Sequence, residues 1–383
     1  MDKLNSRGVK ERLNWTVALL SVICLCIFTY LFTQWQTNGT LMPVWETTSQ
    51  TGDEQTAGTY YTLYDQESGE AIEYMSRHVF VGDELLTGDN KHYKVRKIDG
   101  QQVYCELLEE RNLKPVLADL QTAAEAVSTY PGAFQSIAIY CTHTDESYVP
   151  TSGTESKNGG GDILDVASTM VQVLENQGIT VIHSENIHDP HDVNAYQRSR
   201  KTASELLQGA PAAIIDVHRD GVPDPGYYAT ELEGEPATQI RLVVGRQNQN
   251  SEANIAFAEK MKAYYDEVKP GLIKSIFMAK GNYNQDLAPN SVLLEVGTHT
   301  NSLEQANVGA REFAEALPRF LGLKAAAGEP AEEPSAEAEP QITVEQGGNG
   351  FGKAILWIVV LAVAGGLAFV WISRGSFGGM KRG

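Results

Sequence analysis

Hydrophobic and polar positions change their rhythm several times along the chain, and each change marks a segment. Trp15 to Phe32 (WTVALLSVICLCIFTYLF) and Ala354 to Ile372 (AILWIVVLAVAGGLAFVWI) are continuous apolar runs without a charge, each long enough to cross a hydrocarbon core about 30 Å thick. From Tyr60 to Leu108 short alternating runs (YYTLY, HVFVG, HYKVRKI, QQVYCELL) predict strands, and the Asp99-Gly100 pair between the last two predicts a hairpin. Beyond about Thr122 the rhythm becomes βαβαβ: SIAIYCT, a helix over ILDVASTMVQVLENQG, ITVIH, a helix over NAYQRSRKTASELLQ, then AAIIDV. It continues through QIRLVVGR, a helix from Glu252 to Val268, SVLLEV, and a helix from Leu303 to Leu321. Nearly continuous apolar strands between amphipathic helices predict an α/β fold with an open, mostly parallel sheet covered on both faces.

This patterning divides the chain into residues 1–35 (cytoplasmic tail and anchor), 36–121 (spacer and small β-domain), 122–324 (a chemistry-bearing α/β domain), 325–352 (linker) and 353–383 (second span and basic tail). The linker AAAGEPAEEPSAEAEPQITVEQGGNG has no positive residue and cannot bury a core, so it reads as a solvated tether. Lys3, Arg7, Lys10 and Arg12 precede the first apolar run, and Arg374, Lys381 and Arg382 follow the second. Both termini are therefore expected inside, with the central domain outside the membrane. No small-x-small cleavage site follows the first run, which favours an anchor over a signal peptide.

Composition narrows the chemistry. A net charge of −19 without a basic stripe argues against nucleic acid as partner. Of the four cysteines two lie in the first apolar run, leaving Cys105 and Cys141 in segments assigned to different units, so no disulfide framework is expected. The run Gly159-Gly160-Gly161 lacks the Gly-Lys-Ser/Thr ending of a phosphate loop, and His218-Arg219-Asp220 lacks the other parts of a kinase site.

Open α/β sheets carry their sites past the carboxyl ends of strands. His143, His218 and Glu295 are expected at three such ends. Imidazole and carboxylate are common ligands of catalytic zinc, which keeps one position open for water. A third ligand is expected from the loop TDESYVPTSGTESKNGGGD, where Glu155 and Glu146 are the candidates, and His299 rivals the other two histidines. His183, His188 and His191 in VIHSENIHDPHD read as a polar turn, and His78 and His92 as surface residues.

The strings YCTHTDESYVP, NAYQRSRKTA, IIDVHRDGVP and LLEVGTHTNS resemble the stage II sporulation protein P family of endospore formers, across most of Ser136 to Phe320. The resemblance implies a zinc N-acetylmuramoyl-L-alanine amidase-like fold, and amidase and endopeptidase action on peptidoglycan during engulfment. It makes His143 and His218 metal ligands and places Glu295, with Gly297 and Asn301, on the catalytic stretch. Glu155 is then nearest to the remaining ligand position, with Glu146 and Asp162 as alternatives. It also implies a glycan-cleaving partner, stage II sporulation protein D, and a membrane scaffold. Rival functions are a non-catalytic wall-binding scaffold and a zinc carboxypeptidase or deacetylase on the same substrate.

Overall fold

The structure, a computed structural model, describes residues 58–117, 136–192 and 194–323. Both apolar runs, the linker and the expected boundary at 121/122 lie outside these residues. Among the described residues no helix is long and apolar enough to cross a membrane. The chain divides into two units, Met1–Gly328 and Glu329–Gly383, and every described residue belongs to the first.

The N-terminal segment forms β1 (Tyr61–Asp65), β2 (Ala71–Met75), β3 (Glu84–Leu86), β4 (Lys91–Asp99) and β5 (Gln102–Glu110). The hairpin expected at Asp99-Gly100 joins β4 to β5, with Gly100 at φ 61° supplying the left-handed turn residue. HVFVG, expected as a strand, is instead a loop between β2 and β3. His92 is buried, its Nε2 2.9 Å from Glu84 Oε2, whereas His78 is exposed as expected.

The later strands are β6 (Ser136–Tyr140), β7 (Thr180–His183), β8 (Ala213–Asp220), the hairpin β9 (Ala229–Leu232) and β10 (Glu235–Thr238), then β11 (Ile240–Gly245), β12 (Ile273–Ala279) and β13 (Ser291–Thr298). Four longer helices accompany them: α1 (Ile163–Asn176), α2 (Ala195–Leu206), α3 (Ser251–Val268) and α4 (Leu303–Phe320). Helix α1 buries Ile163, Val166, Ala167, Met170, Val171 and Leu174, the three- and four-residue spacing of a one-sided helix. Helix α4 starts at a capping box in which Ser302 and Gln305 each bond the other's backbone N–H at 3.2 Å.

All strands but β9 and β10 join one eleven-stranded sheet, ordered β2-β1-β5-β4-β3-β12-β11-β13-β8-β6-β7. Neighbours from β13 through β8 and β6 to β7 run parallel, as do β11 and β12, while β11 lies antiparallel to β13. The fold is thus mixed α/β. The N-terminal strands extend the sheet rather than standing apart from it, because β3 pairs with β12 at Leu86↔Ile276, Leu85↔Phe277 and Glu84↔Met278. Leu63, Val95, Val103 and Cys105 share one apolar cluster with Val243, Phe277 and Leu293, so burial crosses the junction as well. Cys105 and Cys141 are both buried and free.

Candidate active site

Strands β6, β8 and β13 are parallel neighbours, so their carboxyl ends open on the same edge of the sheet. His143 follows β6 by three residues. His218 and Glu295 lie inside their strands rather than beyond them, because β8 continues to Asp220 and β13 to Thr298. They are direct neighbours across the ladder, Glu295 opposite His218. All three side chains are buried, His143 to 3%, His218 to 0% and Glu295 to 2% exposure.

The loop after His143 folds back as its glycines suggested. Gly161 donates to the Thr144 carbonyl at 2.7 Å, and a Cβ there would sit 2.2 Å from the Glu146 carbonyl oxygen, so only glycine allows this approach. The fold-back gives the three candidate carboxylates different surroundings. Asp162 accepts from Tyr148 N–H at 3.0 Å and Ser152 Oγ at 2.5 Å, ties that close the loop. Glu155 is half-buried, and its backbone carbonyl accepts from Ser147 N–H at 2.9 Å and Arg219 Nη2 at 3.0 Å. Glu146 is buried with its carboxylate on the histidine: Oε1 is 3.3 Å from His218 Nδ1, and Oε2 accepts from Arg219 N–H at 3.0 Å.

The other nitrogen of His218, Nε2, is 3.0 Å from Asp216 Oδ1. Asp216 is itself fixed by Thr142, whose N–H and Oγ1 donate to it at 2.8 and 2.7 Å. A carboxylate on the far nitrogen is the usual way of orienting a metal-binding imidazole. Donors about 2.0–2.1 Å from a tetrahedral ion stand about 3.3 Å apart, which matches the 3.3 Å between His218 Nδ1 and Glu146 Oε1. The rings of His143 and His218 lie 5.2 Å apart and cross at 75°, so their planes can meet at one ion. His218 and Glu146 thus stand at ligand spacing, with the His143 ring beside His218.

A second trio competes with this set. The donor atoms of His143, Asp145 and His191 lie within 4.8 Å of one another. However, His191 stacks on His143 at 3.8 Å and 10°, and two parallel rings cannot both aim in-plane lone pairs at one ion. As arranged, His191 packs over His143, with its Nδ1 3.5 Å from Asp145 Oδ1. The histidine cluster expected to be a polar turn is thus more deeply involved. His188 is buried, its Nδ1 2.8 Å from the Cys141 carbonyl and its Nε2 2.9 Å from Thr202 Oγ1. The signal for this was positional, since the segment follows β7, the sheet neighbour of β6. His299, the other rival, donates its backbone N–H to the Asp220 carbonyl at 2.9 Å and accepts at its carbonyl from Val149 N–H at 2.7 Å.

Arg77, just before HVFVG, also enters the site. Its Nη2 donates to Glu295 Oε1 at 2.5 Å, its Nη1 lies 3.4 Å from Tyr196 Oη, and its guanidinium stands 5.2 Å from the centre of the Tyr283 ring. Burial pushes the Glu295 carboxyl up, to about 7, against the pull of Arg77. Burial also depresses His143 well below the usual imidazole range, reinforced by His191, His218, Arg77 and Arg219. For His218 burial acts in the same direction, but Asp216 and Glu146 overcome it and hold the ring well above that range. The result is a buried group of donors with a carboxylate whose affinity for protons is near that of neutral water solutions, an arrangement suited to acid/base work.

A family model described as stage II sporulation protein P matches residues 86–318, more than half of the chain. The stage II sporulation protein P of Bacillus subtilis (strain 168) is 31% identical over 216 residues, covering 50% of this chain and 54% of that protein. The chain thus aligns with about half the length of this curated relative. Among solved structures, the N-acetylmuramyl-L-alanine amidase Ami1 from Mycobacterium smegmatis is 19% identical with a TM-score of 0.32, over 50% of this chain and 98% of that one. The CwlD amidase from Clostridioides difficile, solved in complex with the GerS lipoprotein, is 14% identical with a TM-score of 0.32, over 49% and 95%. Both scores are too low to carry a function across.

Proposed function

The chain belongs to the stage II sporulation protein P family, and on that premise we propose that it is a zinc-dependent peptidoglycan hydrolase of sporulation, an amidase separating stem peptide from glycan. The observation that carries this reading is the His218–Glu146 pair with the His143 ring against it, beside Glu295 at the carboxyl ends of adjacent parallel strands. Imidazole and carboxylate donors suit zinc, which when bound in such a set acidifies water and polarises a carbonyl. Glu146 takes the ligand role for which Glu155 was the first sequence candidate, because its carboxylate is the one on His218.

The remaining work falls to the protein. The Asp216 carboxylate, 3.0 Å from Nε2 of His218, favours the proton on that nitrogen and so leaves Nδ1 as the donor toward the site. Arg219 N–H holds the second oxygen of Glu146. Glu295 accepts a proton from the attacking water and delivers it to the leaving amine, a role contributing about 10²- to 10⁴-fold. The two apolar runs and their one-sided basic flanks support anchoring by both ends, with this domain on the outer side where the wall lies.

The experiment is incubation of the full chain with purified sacculi, followed by mass spectrometry of the released fragments and metal analysis of the protein. Free stem peptides together with about one zinc per chain are expected. Release of acetate would replace the amidase reading with a deacetylase, and binding without release would leave a wall-binding protein.

A further inference from the structure

The loop between β2 and β3 is held at both ends. Before it, Glu73 accepts from Arg241 Nη2 at 2.8 Å, Tyr74 N–H donates to Tyr227 Oη at 2.9 Å, and Ser76 Oγ bonds Asp220. After it, Asp83 accepts from Arg246 Nε and from Lys280 N–H, both at 2.8 Å. Every one of these partners belongs to the part of the chain that follows residue 219. Between the two clamps lies Arg77, 3% exposed, reaching Glu295. It lies outside residues 86–318, the stretch matched by the family model.

Glu295 is bound on one side only. Oε1 takes the Arg77 guanidinium at 2.5 Å, while the buried Oε2 has no hydrogen-bond partner among the described residues. A carboxylate tied at one oxygen is fixed in rotation and keeps the other oxygen available for a proton. A buried carboxylate also needs a counter-charge to remain ionised.

We propose that Arg77 is a positioning residue for Glu295, so that the N-terminal strands complete the catalytic site of the domain that follows them. This rests on the reading of Glu295 as the base. The clamps at Glu73, Ser76 and Asp83 hold the guanidinium in register, and Tyr196 and Tyr283 confine it laterally.

The test compares Arg77→Ala, Arg77→Lys, Glu295→Gln and the double variant Arg77→Gln/Glu295→Gln in the full chain, reading zinc content, thermal unfolding, and kcat and KM on sacculi. For Arg77→Ala, kcat should fall at least tenfold with zinc content and KM unchanged, and added guanidinium should restore part of it. Arg77→Lys, which keeps the charge but loses the fork, should fall between that variant and the parent. The double variant removes both charges together, so it should regain the thermal stability lost by Arg77→Ala and stay inactive. A structural role would move KM and zinc content along with unfolding, and would not respond to guanidinium. If Arg77→Ala retains parental kcat while Glu295→Gln is inactive, the inference fails and the base assignment stands. If Glu295→Gln is fully active, the base assignment itself fails. Should Arg77→Ala not fold, a parental kcat for folded Arg77→Lys overturns the inference, because the fork would then be dispensable.

Discussion

Two buried arginines, Arg241 and Arg77, both meet acidic groups at the junction between the N-terminal strands and the rest of the sheet, and they serve opposite ends. Arg241 is saturated. It bonds Asp220, Glu73, the Tyr74 carbonyl and Tyr227 Oη, and Asp220 in turn accepts from Ser76 and Tyr228. Such closure satisfies every charge and fixes two chain segments together, which is the work of a clamp. The Arg77 pair leaves Glu295 Oε2 open, and an open oxygen beside histidines is what acid/base chemistry requires. A closed buried network reads as architecture, and an incomplete one reads as a site.

Breaking the metal set should give the largest effect. His218→Ala and Glu146→Gln should each lower zinc affinity by more than a hundredfold, measured by competition with a chromogenic chelator, whereas His191→Ala should change it by less than tenfold. The opposite ranking would move the cation to the trio of His143, Asp145 and His191. The closed network should answer in stability instead. Arg241→Met, which strands Asp220 and Glu73, should cost about 3–5 kcal/mol in denaturant unfolding, and an unchanged midpoint would mean that the clamp carries no load.

A smaller effect is expected at Asp216, which orients His218. Asp216→Asn should weaken zinc about 10- to 100-fold without removing it, and complete loss would make Asp216 a ligand in its own right. The smallest effect concerns β3, where His92, ahead of Lys94, holds Glu84 at about 2, below the ordinary carboxylate range. Because this folded-state pKa lies below the unfolded one, the pair stabilises the fold above about pH 4.5, and the contribution disappears as pH falls toward 2. Glu84→Gln should therefore unfold slightly more easily at pH 6, by up to about 1 kcal/mol for a partly exposed pair. The difference should shrink as pH falls through 3 and vanish below about pH 2. A difference that persists below pH 2 would show that the residue acts through packing.

How much of this could be read beforehand follows from where each interaction comes from. The alternating α/β elements, the loop that turns at Gly161, and the gathering of His143, His218 and Glu295 at one edge depend on local periodicity and strand ends, and these were legible. The choice among Glu146, Glu155 and Asp162 was not, because all three lie in one loop and only its fold-back decides which carboxylate meets His218. His191 and Arg77 were missed for a related reason. Each arrives from a segment whose own pattern speaks only of a turn or a strand, and its role exists only after the sheet is assembled. HVFVG misled because its alternation suits a strand, yet it carries the chain from one clamp to the other.

The central claim is that Glu295 acts as a base beside a cation held by its neighbours. Its most direct test is the turnover of Glu295→Gln on sacculi per zinc-loaded molecule. Glutamine keeps the shape and loses the basicity, so the account predicts normal zinc content and a rate reduced by about 10²- to 10⁴-fold. A zinc-loaded Glu295→Gln protein that releases stem peptides at the parental rate would contradict it.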